Sequence, residues 1–429
     1  MLCSSRQLLS ATHIAYCSSI HARPVPKPGL ARRIAENFRK FFGWSVHEGG
    51  KCVAIIGSVT RCLPRAPVGR RVALSGERNI YPVIKEKAMP VPVTVTRALA
   101  RGINLSHWLS QHELSEPHLQ SYIGERDFAL IARLGFTHLR LPIDTALLQS
   151  PDGSLREQGF THVDRALGWA RAHRLGVVID LHPVPAPKIA QDAAAYARFE
   201  KLWVAIARRY ARRPLSVVYE LLNEPVEPDP GRWRETASRL VAAIRAVDKR
   251  HTIIVCGHGW SGPDDLPAIR PLEDDNIVYT FHFYLPHEFT HQGATWGSAH
   301  WRPLRHVPYP LTRENVQPLL AGLPENSAAA LRRLAEEGVN LGWIEKRMQP
   351  VVEYQKRHQV PLYCGEFGVY RAYSPPDSRT RWLADVVQTL SKRRIGWAMW
   401  DYKGGFALLR TDKPEPTADE ATVKALGLG

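Results

Sequence analysis

The amino-acid sequence predicts an α/β fold, a closed (β/α)8 or TIM barrel, preceded by a basic N-terminal extension without stable structure. From residue 92 onward, eight short apolar runs alternate with amphipathic helix-like stretches, the pattern of parallel strands covered by helices. The remaining length of about 340 residues suits such a barrel, whose usual ~250 residues grow by loop insertions. An open doubly wound sheet is the competing fold, but no glycine-rich phosphate turn follows an early strand.

The basic charge is concentrated in the N-terminal fifth of the chain. Residues 1–90 contain 15 Lys and Arg against 4 Asp and Glu, whereas the whole chain has a formal net charge of +16. Since +11 of this charge belongs to residues 1–90, we expect the remainder to bind neither nucleic acid nor an anionic membrane. No stretch approaches the roughly 20 apolar residues of a transmembrane helix.

We therefore divide the chain into an extension, residues 1–91, and a barrel domain, residues 92–429. The opening "MLCSSRQLLSATHIAYCSSIHARPVPKP" is a poor secretory signal because Ser, Thr and His interrupt its apolar part. Its lack of acidic residues also fits an organelle transit peptide, and an unstructured extension is the third alternative. The barrel domain contains only Cys256 and Cys364, and no C-x-x-C pair, so we expect no disulfide framework and no zinc ribbon.

The first four predicted strands each end in polar side chains. They are "ARGINLSHW" from Ala100, "FTHLRLPI" from Phe136, "GVVIDLHP" from Gly176 and "SVVYELLNEP" from Ser216. Each contains an apolar run of strand length. The helix-like stretches "VDRALGWARAHRL" and "YARFEKLWVAIARRYAR" separate the second, third and fourth runs, as parallel pairing requires.

The last four predicted strands repeat this pattern. They are "HTIIVCGHGW" from His251, "NIVYTFHFYLP" from Asn276, "VPLYCGEFGVY" from Val360 and "IGWAMWDY" from Ile395. The helix-like stretch "RWRETASRLVAAIRAVDKR" precedes the first of them, and "ADVVQTLSKRR" precedes the last. The connection between the sixth and seventh strands is the longest, which predicts a loop insertion there.

Catalytic groups of a TIM barrel lie at the carboxyl ends of its strands. Six of the eight strands carry polar or aromatic candidates there, namely Arg140, His182, Asn223, Glu224, His282, Tyr284, Glu366 and Trp400. Each residue alone has an ordinary structural explanation, such as a core histidine or a tryptophan that fills the barrel. Their occurrence at the same end of successive strands predicts an active site.

Glu224 and Glu366 are carboxylates on the fourth and seventh strands. Two carboxyl groups across a cavity suit glycoside hydrolysis, in which one protonates the leaving oxygen and the other meets the cationic sugar carbon. Asn223 could donate a hydrogen bond to a sugar 2-hydroxyl. Tyr284 and Arg140 could hold Glu366 ionised, as a nucleophile must be.

Eight short motifs then occur in one order along the chain: "RGINLSHW", "LRLP", "IDLH", "NEP", "HFY", "THQGATW", "GEFG" and "WAMWDY". Any one of them is unspecific. In this order and spacing they resemble the cellulases of glycoside hydrolase family 5, which belong to the clan of barrel glycosidases with catalytic glutamates on strands 4 and 7. The resemblance covers roughly residues 95–410 and none of the extension.

The resemblance implies that Glu224 is the acid/base and Glu366 the nucleophile of a retaining mechanism without a metal or other cofactor. The remaining candidates would bind substrate or support the glutamates: Arg140, His182, Asn223, His282, Tyr284 and Trp400. We expect an endo-β-1,4-glucanase. A β-1,3-glucanase, a β-glucosidase and a β-mannanase stay as alternatives, because linkage and sugar specificity depend on loop geometry.

One motif predicts a different chemistry. "HEFTH", His287 to His291, matches the H-E-x-x-H signature of zinc metalloproteases. That chemistry needs a stable helix and a third ligand, but Pro286 precedes the motif and Gly293 follows it closely. We therefore expect a loop over the barrel mouth, with a zinc metalloprotease as the remote alternative.

Aromatic side chains bind sugars by stacking on the apolar faces of the rings. Trp108, Trp260 and Trp296 lie at or beyond strand ends, so we expect them to be sugar platforms. The long insertion from Leu285 to about Pro324 would wall a cleft for several sugar units.

The expected partner is a β-glucan or related polysaccharide, and we expect a monomer. Such a polymeric substrate favours an extracellular or periplasmic location, although the sequence contains no convincing signal peptide.

Overall fold

The eight predicted strands form a closed parallel barrel in which neighbours in sequence are neighbours in space. The computed structural model describes residues 91–410 and 416–429. Strand order runs from β1 to β8, and β8 pairs with β1 to close the barrel. The strands are β1 Arg101–Asn104, β2 His138–Ile143, β3 Gly176–Leu181, β4 Val217–Glu220, β5 Ile253–Cys256, β6 Ile277–Phe283, β7 Leu362–Phe367 and β8 Gly396–Met399. The predicted TIM barrel is confirmed.

Helices follow the strands along the described chain and cover the outside of the barrel. They are α1 Val93–Ala98, α2 Glu116–Ser121, α3 Glu125–Arg133, α4 Thr145–Leu148, α5 Glu157–Ala172, α6 Ala193–Tyr210, α7 Pro230–Arg245, α8 His287–Thr290, α9 Arg313–Val316, α10 Glu325–Glu337, α11 Leu341–Arg347, α12 Gln349–His358, α13 Pro376–Lys392 and α14 Glu420–Ala425. Helices α8 to α12 lie in the connection between β6 and β7, and only α8 and α9 fall within the predicted insertion. A short antiparallel pair follows the barrel, β9 Leu409–Arg410 and β10 Thr417–Ala418.

Helix α1 fills the N-terminal end of the barrel. Val91, Val95 and Leu99 are buried and pack in one apolar cluster with inward-facing side chains of six strands, which are Val178, Val218, Ile254, Val278, Tyr363 and Ala398. Val91 was assigned to the extension in the sequence analysis, but it belongs to this cluster. The other residues of the predicted extension, 1–90, lie outside the described residues.

Two buried tryptophans of the outer helices donate hydrogen bonds to the backbone at the carboxyl ends of β4 and β5. Trp203 of α6 donates a hydrogen bond from Nε1 to the Leu221 carbonyl oxygen, and Trp233 of α7 donates one to the Cys256 carbonyl oxygen, both at 2.9 Å. These bonds satisfy backbone acceptors just where β4 and β5 end, so the segments that follow are held in place.

The segment after β5 matches a nucleotide-binding pattern in sequence but not in structure. "GHGWSG", residues 257–262, fits G-x-G-x-x-G. It is followed by a single 3-10 turn, Leu266–Ala268, instead of the long helix whose N-terminus would hold a pyrophosphate. The segment is therefore a loop at the mouth of the barrel.

Two other expectations concern the whole described chain. Cys256 and Cys364 are buried free thiols. Across residues 91–410 and 416–429, no helix is both long enough and apolar enough to span a bilayer.

Candidate active site

The end of β4 presents Glu224 in an unusual backbone conformation. Glu224 has a φ of 39°, in the left-handed region that side chains other than glycine rarely adopt. Its neighbour Asn223 continues the strand's pairing, since its backbone N–H donates to the Leu181 carbonyl oxygen at 2.9 Å. The chain thus stays in register up to Asn223 and then turns the carboxylate toward the barrel axis.

A register shift between β6 and β7 brings Glu366 to the same place. Phe281 pairs with Cys364, but the next pair is His282 with Glu366, so Gly365 is an extra residue in β7. Such a bulge re-aims the side chains that follow it. A Cβ on Gly365 would lie 2.9 Å from Thr280 Oγ1 and 3.2 Å from His282 Nε2, which explains why glycine occupies this position.

Arg140 of β2 is fully buried and is bound by carboxylates of three strands. Its Nε and Nη2 donate to the two carboxylate oxygens of Glu220 at 2.7 and 2.9 Å. Its Nη1 donates to Glu366 Oε1 at 2.6 Å, and its Nη2 lies 3.0 Å from Asp180 Oδ2. Arg140 also donates to Asn223 Oδ1 at 2.9 Å. One guanidinium therefore orders the side chains of β3, β4 and β7.

Glu366 receives a second hydrogen bond from the other side. The Tyr284 hydroxyl donates to Glu366 Oε2 at 2.9 Å. Each oxygen of the Glu366 carboxylate therefore accepts one of these hydrogen bonds, and together they fix the orientation of the group. Only 6% of the Glu366 side chain is exposed, so this carboxylate is both buried and fully hydrogen-bonded.

Glu224 has an environment of the opposite kind. Its Oε1 lies 2.7 Å from His282 Nδ1, and a quarter of its side chain, 24%, is exposed. Burial raises the pKa of Glu224 to about 7, a rise that nearby Glu220 increases and that His182 and Arg140 oppose. Burial lowers the pKa of His282 to about 4, so below pH 7 the proton of this pair lies on Glu224. A carboxyl group that keeps its proton near neutral pH can act as a general acid.

The two glutamates are close together. A carboxylate oxygen of Glu224, one of Glu366 and a ring nitrogen of His282 lie within 4.8 Å of one another. Retaining glycosidases place their carboxyl groups about 5–5.5 Å apart, whereas inverting enzymes need roughly 6.5–9.5 Å to admit a water. The observed separation matches the retaining class.

His182 and Trp400 lie side by side after β3 and β8. The two rings stack with centroids 5.7 Å apart. His182 Nδ1 lies 2.9 Å from Asp180 Oδ2, which fixes the orientation of the imidazole, and burial lowers the pKa of His182 to about 4. The eight strand-end candidates from the sequence are thus brought together at the carboxyl end of the barrel, through direct contacts or through Arg140 and Asp180.

One of the three expected sugar platforms is wrong. Trp108 is fully buried, donates from Nε1 to the Leu119 carbonyl oxygen at 2.9 Å and stacks on Trp169, because α2 folds over it. Trp260 and Trp296 are exposed, by 64% and 46%. Trp260 lies beside the acid/base candidate, since its backbone N–H donates to the Pro225 carbonyl oxygen.

The "HEFTH" motif does not form a metalloprotease helix. Helix α8 has four residues, and the rings of His287 and His291 both pack on Trp301, with centroids 5.0 and 5.2 Å away. Within the described parts of the chain, the one group of three His, Cys, Asp or Glu side chains whose ligand atoms lie within 4.8 Å is Glu224, His282 and Glu366. Neither histidine of the motif belongs to it, and a four-residue helix is not the stable helix that the protease alternative requires, so the structure does not favour that alternative.

Sequence reasoning missed four buried polar residues of the site. Asn104 accepts a hydrogen bond from Arg140 Nη1 at 3.0 Å, and Asp180 and Glu220 bind the same guanidinium. Asp401 accepts a hydrogen bond from Ser106 directly beside Trp400. Asp180 and Glu220 lie within the apolar runs of β3 and β4. A charged residue is rarely buried without a partner, so its presence in an apolar strand is the signal that identifies such residues.

A TIM barrel with two carboxyl groups facing each other across its mouth is the architecture of a glycoside hydrolase. Comparison with known proteins makes the class specific. The model of the cellulase family, glycosyl hydrolase family 5, matches residues 101–405. The chain belongs to this family.

Curated relatives match this chain over most of their own length. Endoglucanase C of Acetivibrio thermocellus is 36% identical over 313 residues, which cover 70% of this chain and 90% of the relative. Cellodextrinase A of Ruminococcus flavefaciens is 30% identical over 310 residues, covering 70% of this chain and 84% of that protein.

Solved structures share the fold. Endoglucanase Cel5A of the hyperthermophile Thermotoga maritima has a TM-score of 0.65 and 28% identity, and the match covers 78% of this chain and 99% of Cel5A. The same enzyme has been solved in complex with cellobiose and with mannotriose.

Proposed function

We propose that this protein is an endo-β-1,4-glucanase that acts by double displacement, with Glu366 as nucleophile and Glu224 as acid/base. The observation that carries the proposal is the pair of close carboxyl groups in different environments. Both oxygens of Glu366 accept hydrogen bonds, from Arg140 and Tyr284, whereas burial raises the pKa of Glu224 to about 7. The endoglucanases among the relatives support the substrate class.

In the first step, a carboxylate oxygen of Glu366 attacks the anomeric carbon and the bond to the leaving sugar breaks. Glu224 donates its proton to the departing oxygen, so that the leaving sugar is released as a neutral alcohol. Asn223, whose Oδ1 is held by Arg140, has its amide group free to donate to the sugar 2-hydroxyl.

In the second step, Glu224 is a carboxylate and removes a proton from water. The hydroxide oxygen attacks the same anomeric carbon, the ester bond to Glu366 breaks, and the starting β configuration is restored. His282, which stays neutral above about pH 4, keeps its hydrogen bond to Glu224 through both steps.

The exposed tryptophans suggest how a polymer is held. Trp260 lies on the segment after β5 beside Glu224, and Trp296 packs edge-on against Tyr370 with centroids 4.9 Å apart, on the connection after β6. We propose that both rings stack on sugar units outside the central cavity. Substitution of either by Ala should weaken binding of cellohexaose more than binding of cellobiose.

The test is hydrolysis of a panel of polysaccharides by the full chain. We expect release of reducing ends from carboxymethyl cellulose and barley β-glucan, with a fast fall in viscosity that reports internal cleavage. Activity on mannan or laminarin alone would contradict the proposed substrate. Proton NMR of the first product should show the β anomer, and an initial α anomer would contradict double displacement.

Two further measurements separate the proposal from the other expectations. Catalysis by two carboxyl groups predicts that EDTA leaves the rate unchanged. We also propose an extracellular or periplasmic location, because a polymer such as cellulose cannot cross the cytoplasmic membrane. Cell fractionation that recovers the activity only in the cytoplasm would contradict this location.

A further inference from the structure

Glu220 is a buried carboxylate for which the double-displacement chemistry has no direct use. It is the last residue of β4, its side chain is 1% exposed, and it cannot touch a sugar in the cavity. Both of its oxygens accept hydrogen bonds from Arg140, at 2.7 Å from Nε and 2.9 Å from Nη2. A planar guanidinium held at two nitrogens by one carboxylate has a fixed orientation.

The fixed orientation matters because the third nitrogen of Arg140 reaches the nucleophile. Nη1 donates to Glu366 Oε1 at 2.6 Å, the shortest hydrogen bond that Glu366 accepts. A tilt of the guanidinium would move this donor and with it the carboxylate. A misplacement of 1 Å at a reacting group costs about 10²-fold in rate.

Charge gives Glu220 a second effect. Without it, the positive charge of Arg140 would act mainly on Glu366 and Asp180, and a carboxylate bound more strongly by a cation is a weaker nucleophile. Its negative charge also acts on Glu224, four residues along the chain, where it raises the pKa of the acid/base.

We propose that Glu220 is a positioning residue that sets the reactivity of both glutamates through Arg140 and through its own charge. The inference rests on the proposed glucanase function. The groups that face Glu224 from the surrounding strands are Arg140 (β2), Asp180 and His182 (β3), Glu220 (β4), His282 and Tyr284 (β6 and the residue after its end) and Glu366 (β7). Of the acidic groups in this set, Glu220 alone accepts hydrogen bonds from two nitrogens of Arg140, Nε and Nη2.

The experiment compares three variants by two readouts. The variants are Glu220→Gln, Glu220→Asp and, as a matched control, Glu227→Gln. Glu227 is a buried glutamate just beyond β4 whose carboxylate accepts from Gln191 and the Asp229 backbone N–H and lies 3.5 Å from Arg232 Nη1. This variant therefore tests the loss of a buried, arginine-paired charge away from Arg140. The first readout is kcat/KM for 2,4-dinitrophenyl β-cellobioside, whose leaving group needs no proton. The second is the basic limb of the kcat/KM profile on cellotetraose, which reports the pKa of Glu224.

For Glu220→Gln we expect kcat/KM on the activated substrate to fall about 10²-fold. The amide NH2 of Gln faces a guanidinium N–H of Arg140, so one of the two hydrogen bonds between these side chains is lost. Inhibition by cellobiose should stay unchanged, since Glu220 does not contact sugar. The basic limb should move to lower pH, because one negative charge near Glu224 is gone. Glu220→Asp should keep the wild-type limb, since its charge remains, but should still lose rate. Glu227→Gln should change neither readout.

Each outcome decides the inference. A folded Glu220→Gln protein with wild-type rate and an unmoved basic limb would overturn it, and a limb that moves in Glu227→Gln as well would show a nonspecific effect of buried charge. If Glu220→Gln does not fold, Glu220→Asp with a wild-type kcat/KM overturns the proposal. A wild-type protein that cleaves no β-1,4-glucan overturns the proposed function, whereas an active wild type with an indifferent Glu220 overturns this inference alone.

Discussion

The two ends of the barrel interior are filled by opposite kinds of side chain. At the N-terminal end, Val95 and Leu99 pack on apolar residues of the strands, among them Val218 of β4. Two residues further along β4, at the carboxyl end, the buried residue is the charged Glu220. Apolar packing stabilises the fold without demanding one geometry. Buried charges cost desolvation but fix directions. Substitutions at the N-terminal end of the barrel should therefore change stability, and substitutions at the carboxyl end should change the reaction rate.

The largest effect should follow from removing the nucleophile. Glu366→Gln should lower turnover on every substrate by about 10⁵- to 10⁶-fold, the loss found when a catalytic nucleophile is deleted. The amide oxygen can still accept from Arg140, so the melting temperature should stay close to wild type. Steady-state rates and thermal unfolding measure both. A Glu366→Gln protein that still hydrolyses substrate would contradict the role of Glu366 as nucleophile.

Removing the acid/base should have a smaller and more selective effect. Glu224→Ala should slow cellulose hydrolysis about 10²- to 10⁴-fold, the usual contribution of a general acid. The first step on 2,4-dinitrophenyl β-cellobioside should be spared, because that leaving group departs without protonation. Added azide should then attack the trapped glycosyl-enzyme from the β face and give the β-glycosyl azide. Recovery of the α-azide would contradict the assigned roles.

At the other end of the barrel, a substitution should change stability and leave the rate alone. Leu99→Ala should lower the free energy of unfolding by about 2–5 kcal/mol, because it opens a cavity in the apolar cluster. Val93→Ala is the matched control on the same helix, since Val93 is 64% exposed. Urea unfolding and kcat on carboxymethyl cellulose measure the two effects. A Leu99→Ala protein with unchanged stability but reduced kcat would show that the ends are coupled.

The smallest effect should come from deleting residues 1–88. Their composition predicts no packed core, and among the described residues the cluster that fills the barrel end starts with Val91. The truncated protein should keep its melting temperature and its rate. Failure of residues 89–429 to fold would contradict the proposed division of the chain.

The sequence was sufficient to locate the strands because each strand is an apolar run of its own. All eight apolar runs contain an observed strand, and the polar residues after them mark the carboxyl ends. Trp108 was misplaced because its burial depends on α2 folding over the first loop, a tertiary contact that position along the strand does not reveal. A period of two residues would have grouped Asp180 with His182 on one face of β3.

The geometry of Glu366 was beyond sequence reasoning for another reason. Regular alternation in β7 would turn Tyr363 and Gly365 toward the axis and Glu366 away from it. The extra residue, Gly365, reverses this. The glycine in "GEFG" fits a bulge, but the sequence does not show which residue of the run is unpaired. The bidentate grip of Glu220 on Arg140 is likewise a contact between side chains 80 positions apart.

The left-handed backbone of Glu224 has a consequence for engineering. Non-glycine residues in this region cost about 1–3 kcal/mol each, and Asn adopts it more readily than Glu. Glu224→Asn would relieve that strain and remove a buried acid together, so it should unfold at a higher temperature than the wild type in calorimetry. Laboratory evolution that selects for heat resistance alone would therefore tend to discard the catalytic acid. A library of this protein should be sorted on activity before it is sorted on melting.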